Sequence, residues 1–169
     1  MKKILLALFV LGVTACTSFA QTKDSDAGKF SIGVDAGLPV GNASNVYTFA
    51  IGGSLKYDMP IGSGAFVNLS AGYQSFMVKS ALKDIGFPSS SGFIPVKVGL
   101  KYYFDGQGFY GEAQVGAAFS TESGGGKAFA YAPGVGYTLD GGLDLGVRYE
   151  GWSHDGTISQ VALRVAYSF

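Results

Sequence analysis

From Lys29 to the C-terminal Phe169 the chain repeats one unit, a run of about ten residues that alternates apolar with small or polar side chains and ends in a turn signal. Successive side chains of a strand point to opposite faces, so period two selects strands and leaves little room for helices. Eight such runs are predicted, near 29–38, 47–59, 65–76, 93–104, 109–120, 128–138, 142–152 and 157–169. In the last run Val161, Leu163, Val165, Tyr167 and Phe169 share one face, and Gln160, Ala162, Arg164, Ala166 and Ser168 share the other. Leu143, Leu145, Val147 and Tyr149 stand likewise against Asp144, Gly146, Arg148 and Glu150.

The connections alternate in length. Pro60 to Gly64, Asp105 to Gly108 and Asp140 to Gly142 are tight turns rich in Gly and Asp, whereas 39–46, 77–92 and 121–127 are longer and Ser153 to Gly156 is compact. Short turns at one end and longer loops at the other suit an up-and-down barrel in an outer membrane.

The faces decide which side meets lipid. Charges within the runs fall on the face crowded with Gly, Ala and Ser, and the opposite face is an uninterrupted apolar band. A charge facing lipid at mid-membrane costs roughly 2–4 kcal/mol, so the apolar band is expected to face outward. A closed barrel also pairs every backbone group, as lipid demands. The expected fold class is therefore all-β, an eight-stranded antiparallel up-and-down transmembrane β-barrel over 29–169. A soluble periplasmic barrel is the alternative, and it would place its large apolar residues in the lumen.

The inward face collects Asp35, Asp58, Glu112, Asp144 and Glu150 against Lys56, Lys97, Lys101, Arg148 and Arg164, a balanced lumenal charge network. Inward glycines leave room for these side chains and for Tyr103, Tyr110 and Trp152. An eight-stranded barrel is only wide enough for side chains to fill, which favours a solid polar core over an ion path. Outward aromatics form two groups near the strand ends, Tyr57, Tyr102, Phe109 and Tyr137 among one, Tyr73, Phe119, Phe129 and Tyr149 among the other. Aromatic girdles of this kind sit at headgroup level.

Residues 1–20 read as a cleaved signal peptide: Lys2 and Lys3, an apolar stretch from Ile4 to Val13, and Ser18-Phe19-Ala20 before the cut. Residues 21–28 are then a short periplasmic segment. Cys16 after Val13-Thr14-Ala15 also permits a lipoprotein-type cut, leaving its lipidation open. Acidic and basic residues number twelve each, so no electrostatic case exists for nucleic acid.

The C-terminal strand, with Val161, Leu163, Val165, Tyr167 and Phe169 on one face, resembles the signal by which barrel-assembly machinery selects substrates. An amphipathic unpaired strand can add to an open sheet edge through its backbone. Ser153-His154-Asp155 holds the single histidine, but neighbours on a turn seldom face one another, so no catalytic residue is assigned; a lipid-modifying enzyme ranks below a narrow pore among the alternatives. No cofactor or metal site is expected. Ser123 to Lys127 lacks the spacing of a phosphate loop. Ile85 and Phe87, in the longest loop, are the candidate contact for an extracellular ligand of unknown identity.

Phe109-Tyr110-Gly111-Glu112, Pro133-Gly134-Val135-Gly136-Tyr137, the stretch Gly142 to Tyr149 and the terminal Tyr167-Ser168-Phe169 together resemble the small porin-family or outer-membrane β-barrel domains of Bacteroidota-type bacteria. The resemblance implies an integral outer-membrane protein, a monomer in lipid that depends on the assembly machinery. It is specific for fold and location and not for activity, and a structural or surface-interaction role rather than a named reaction is the expectation.

Overall fold

The computed structural model describes residues 28–83, 86, 88–104, 108–122, 124–154 and 156–169. The expected signal segment with Cys16, nearly all of 21–28, and the loop residues Ile85 and Phe87 lie outside these residues.

Eight strands form one closed antiparallel barrel in sequence order: β1 Lys29–Val40, β2 Tyr47–Gly62, β3 Ala65–Val78, β4 Ser90–Tyr103, β5 Phe109–Ser120, β6 Lys127–Thr138, β7 Leu143–His154 and β8 Gly156–Ser168. β1 pairs with β8 through register partners such as Val34 with Val165, so no sheet edge remains. The strands run further than the alternation indicates. β2 continues through Pro60 and Ile61 across a register shift, and β3 and β4 extend the expected 65–76 and 93–104 toward the loop end, to Val78 and from Ser90. A loop read from Gly, Ser and Pro content thus loses residues to pairing, because backbone groups take available partners whatever their side chains. What remains of the longest connection includes a helical turn at Ser80–Lys83, and another turn, Ala43–Val46, follows β1.

Local chemistry sets the tight end. At Leu139 to Gly142 the Gly142 amide donates to the Leu139 carbonyl at 3.2 Å, and Gly141 and Gly142 take φ of 90° and 91°. Side chains with a Cβ rarely adopt that backbone, so the Asp-Gly-Gly sequence is what permits the reversal. Pro133 faces outward on β6, and the β6–β7 register omits it and Ala132, consistent with a residue that has no amide to give.

The burial pattern puts the apolar band outside. Val34, Leu55, Leu69, Val98, Leu100, Val115, Val135 and Leu163 are all exposed, whereas eight of the ten lumenal charges are buried and Glu112 and Arg148 are half-buried. That inversion of the usual soluble arrangement is what a lipid-facing wall requires. The outward aromatics follow, with Phe30 against Tyr57 and Phe104 stacked on Phe109 toward the turn end, and Phe129 beside Tyr131 toward the loop end.

Candidate functional site: the sealed lumen

All ten predicted lumenal charges point inward, and the structure brings nine of them into ion pairs between strands that are mostly not neighbours. Toward the turn end, Lys101 on β4 lies 3.2 Å from Asp144 on β7 and 3.7 Å from Asp58 on β2. Tyr110 donates its hydroxyl to Asp144 at 2.6 Å and Thr138 donates to the same carboxylate at 2.9 Å. The Lys101 ammonium also sits 3.8 Å from the Tyr110 ring centroid, a cation–π contact inside a dry site.

Mid-barrel, Lys56 on β2 reaches Glu112 on β5 at 2.8 Å. A neutral layer stands beside this pair, with Gln114 donating to Asn68 at 2.8 Å and to Ser70 at 3.2 Å. Arg164 donates to Ser54 and Ser31 at 3.2 and 3.3 Å and, among the described residues, has no carboxylate within 4.0 Å. Toward the loop end Glu150 is the hub. It accepts from Lys97, from Arg148 at 3.1 Å, from Trp152 at 3.1 Å and from Gln160 at 3.4 Å. Arg148 also lies 3.0 Å from Asp35 Oδ1, an ion pair without hydrogen-bond alignment, while Ser54 donates to Asp35 Oδ2 at 2.8 Å.

Glycine makes this filling possible. A Cβ on Gly116 would collide with the Val96 carbonyl and the Lys97 Cα, and one on Gly136 would enter the Tyr110 ring. A turn-end mouth of about 850 Å³ reaches inward as far as Asp58, Tyr103 and Thr138, and deeper in the barrel two small spaces lie against the network, about 20 Å³ beside Tyr110 and Arg148 and about 10 Å³ beside Gln74 and Lys97. Each of these two is room for about one water at most.

Above the charges, at the loop end, lies a feature the sequence reading left out. Phe76, Phe93 and Trp152 turn inward and meet edge-on or tilted, with centroids 5.8 Å apart for Phe76–Phe93, 5.2 Å for Phe76–Trp152 and 5.0 Å for Phe93–Trp152. Tyr47 joins Phe76 at 5.2 Å, and Ala50, Ala118 and Ala130 complete the cluster. Parity could have found Phe93, which shares the face of Lys97, and Phe76, which is three residues from the outward Tyr73. Tyr47 was not readable, because a register shift between Tyr47 and Phe49 reverses its side.

Val161, Leu163, Val165, Tyr167 and Phe169 all face outward on or just beyond β8, and the Phe169 amide donates to the Phe30 carbonyl at 2.8 Å. Ser153 and His154 are adjacent on β7, paired with Thr157 and Gly156, so their side chains leave opposite faces and do not converge. Among the described residues no group of three or more His, Cys, Asp or Glu assembles as a metal site.

Solved structures resemble this barrel. Ail of Yersinia pestis in a phospholipid bilayer nanodisc superposes with a TM-score of 0.60 at 15% identity, covering 85% of this chain and 100% of that one. The outer membrane enzyme PagL gives 0.61 at 16% identity, covering 81% and 98%. The N-terminal β-barrel domain of Pseudomonas aeruginosa OprF gives 0.55 at 13% identity, covering 85% and 100%. At such identities the likeness concerns fold alone. No curated protein matches the chain in sequence. The model of the outer membrane protein beta-barrel domain matches residues 5–169, and the chain belongs to that family of outer-membrane proteins.

Proposed function

We propose that the protein is a sealed, non-enzymatic outer-membrane barrel with a structural or surface-interaction role, whose loops meet the extracellular side. One observation carries the reading: most of the lumenal charges are dry. Lys56, Lys97, Lys101, Asp58, Asp144 and Glu150 are each at most 5% exposed, so a water-sized sphere scarcely touches the groups that would line an ion path. An aromatic cluster then closes the loop end above them. A conducting pore keeps its charged residues wet, and this lumen does not.

Several parts of the reading follow from the sequence. The chain enters the periplasm on a cleaved signal peptide at 1–20, and 21–28 remains there as a short lead into β1. β8, ending in Tyr167 and Phe169, presents the assembly machinery with its recognition strand, and the barrel works as a monomer in lipid. Loop residues Ile85 and Phe87 offer apolar contact area to an extracellular partner. The quoted motifs set the chain among the small barrels of Bacteroidota-type bacteria.

The test is electrical. The folded protein, verified by faster gel migration before boiling, is reconstituted into planar lipid bilayers and held at moderate voltage. A flat current is expected. Discrete single-channel steps in the native protein would overturn the sealed reading and restore the narrow pore.

A further inference from the structure

The aromatic cluster has two sides, and only its lower side faces the ion pairs. Its upper side floors an open cup at the loop end with a volume of about 460 Å³, within the range of roughly 300–1,000 Å³ usual for small-molecule sites. Trp152, Phe93 and Tyr47 make the floor and Ile158 and Ala128 the lower wall, all of them inward-facing and apolar. Besides the Tyr47 phenol of the floor, the ionisable side chains lining the cup, among the described residues, are Lys127 and His154, both at the exposed rim, and Asn42, Ser120 and Thr157 add hydrogen-bonding groups there.

We infer that this cup is a binding site for a small amphipathic anion, a ligand with a planar aromatic body and a carboxylate- or sulfonate-type head. The body lies on the Trp152–Phe93–Tyr47 floor, where ring faces and edges are already offset for further aromatic contact. The head stays at the rim beside Lys127 and the His154 ring, where the Lys127 ammonium meets it without being stripped of water. The floor is rigid for a stated reason: the Trp152 indole N–H donates to Glu150, itself held by Lys97 and Arg148, so the ring is pinned from below. Preorganisation of that kind removes an ordering cost that a loop-built site would carry. The cup is a dead end under the sealed-barrel reading, so the ligand is held at the mouth and not passed inward.

Trp152 is the single tryptophan of the chain, which makes the floor its own reporter. The full-length mature protein, folded in phospholipid nanodiscs, is titrated with 4-nitrobenzenesulfonate, a planar anionic quencher, and with neutral 4-nitrobenzyl alcohol. Saturable quenching of Trp152 emission by the sulfonate is expected, with a half-point about fivefold weaker for Lys127→Glu and for the neutral probe. Ala128→Phe, which fills the cup, should leave only linear collisional quenching. Linear quenching of the native protein overturns the site. Saturable quenching that Ala128→Phe leaves unchanged places the probe elsewhere and also overturns it. An unchanged half-point in Lys127→Glu, with loss in Ala128→Phe, overturns the anion assignment. Should Ala128→Phe fail to give the compact unboiled band, Lys127→Glu and the neutral probe decide alone. Channel steps alongside the expected titration would remove the sealed-barrel reading and leave this site standing.

Discussion

Glu150→Ala is the substitution with the largest consequence that the geometry allows to be worked out in advance. Glu150 is 1% exposed and accepts from Lys97, Arg148, Trp152 and Gln160. Arg148 keeps Asp35 after the change, but Lys97 has no other carboxylate within 4.0 Å among the described residues. Breaking a buried pair by removing one member costs about 3–5 kcal/mol, because the surviving charge stays in a low-dielectric site. The orphaned Trp152 N–H adds about 1–3 kcal/mol, and the two overlap because the same cavity can admit water to both. A loss near 4 kcal/mol is therefore expected, a large part of the roughly 5–15 kcal/mol that holds a typical domain folded. Glu150→Gln keeps an acceptor for Trp152 but still leaves Lys97 without a counter-charge, so it should lose about 3 kcal/mol, the low end of the cost of breaking a buried pair. The pair itself is isolated by adding Lys97→Met. If the ion pair is the cause, Lys97→Met/Glu150→Gln is more stable than the sum of its single changes by at least about 1 kcal/mol. Guanidinium unfolding in phospholipid vesicles, followed by both gel mobility and Trp152 emission, measures each term. A Glu150→Ala cost below about 1 kcal/mol would refute the reasoning, as would strict additivity in the cycle.

Two further perturbations separate the inside of the wall from the outside. Gly116→Ala drives a Cβ into the β4 backbone at Val96 and Lys97 and should cost about 1–3 kcal/mol, whereas at Gly53 the nearest atom would be the Gly33 carbonyl at 3.7 Å and Gly53→Ala should be near neutral; equal unfolding midpoints would contradict the close approach. Val98→Arg, outward, 48% exposed and midway along β4, should cost about 2–4 kcal/mol, while Phe104→Arg just past the strand end should cost about 0–1 kcal/mol. Similar losses at both positions in vesicle unfolding titrations would contradict a lipid-facing apolar face.

The wall of this barrel was legible in the sequence because one rule, alternation, serves both the pleat and the lipid–lumen division. Lys97 and Arg148 fall on their observed face by counting alone. Which partner each one meets does not follow from counting. Lys97 meets Glu150 from β4 to β7, and Lys56 meets Glu112 from β2 to β5, pairings fixed by strand tilt and barrel diameter that no local window contains. Arg164 shows the same limit, since counting gives its face and the fold supplies two hydroxyls as its partners. The aromatic cluster at the loop end was half legible. Phe76, Phe93 and Trp152 obey parity, whereas Tyr47 depends on a bulge whose position nothing in the residues Tyr47-Thr48-Phe49 announces.

The cross-barrel pairs also bear on how such a wall can be built. Local hairpins can form one after another, but Lys97 and Glu150, or Arg148 and Asp35, come together only when the sheet has curled and β1 has found β8. Until that moment Lys97 and Asp35 in an inserting sheet lack the partners they meet in the closed barrel, each unwelcome in hydrocarbon. Closure then neutralises them together, so half-zipped forms are selectively penalised and the last seam acts as a checkpoint on the whole circumference.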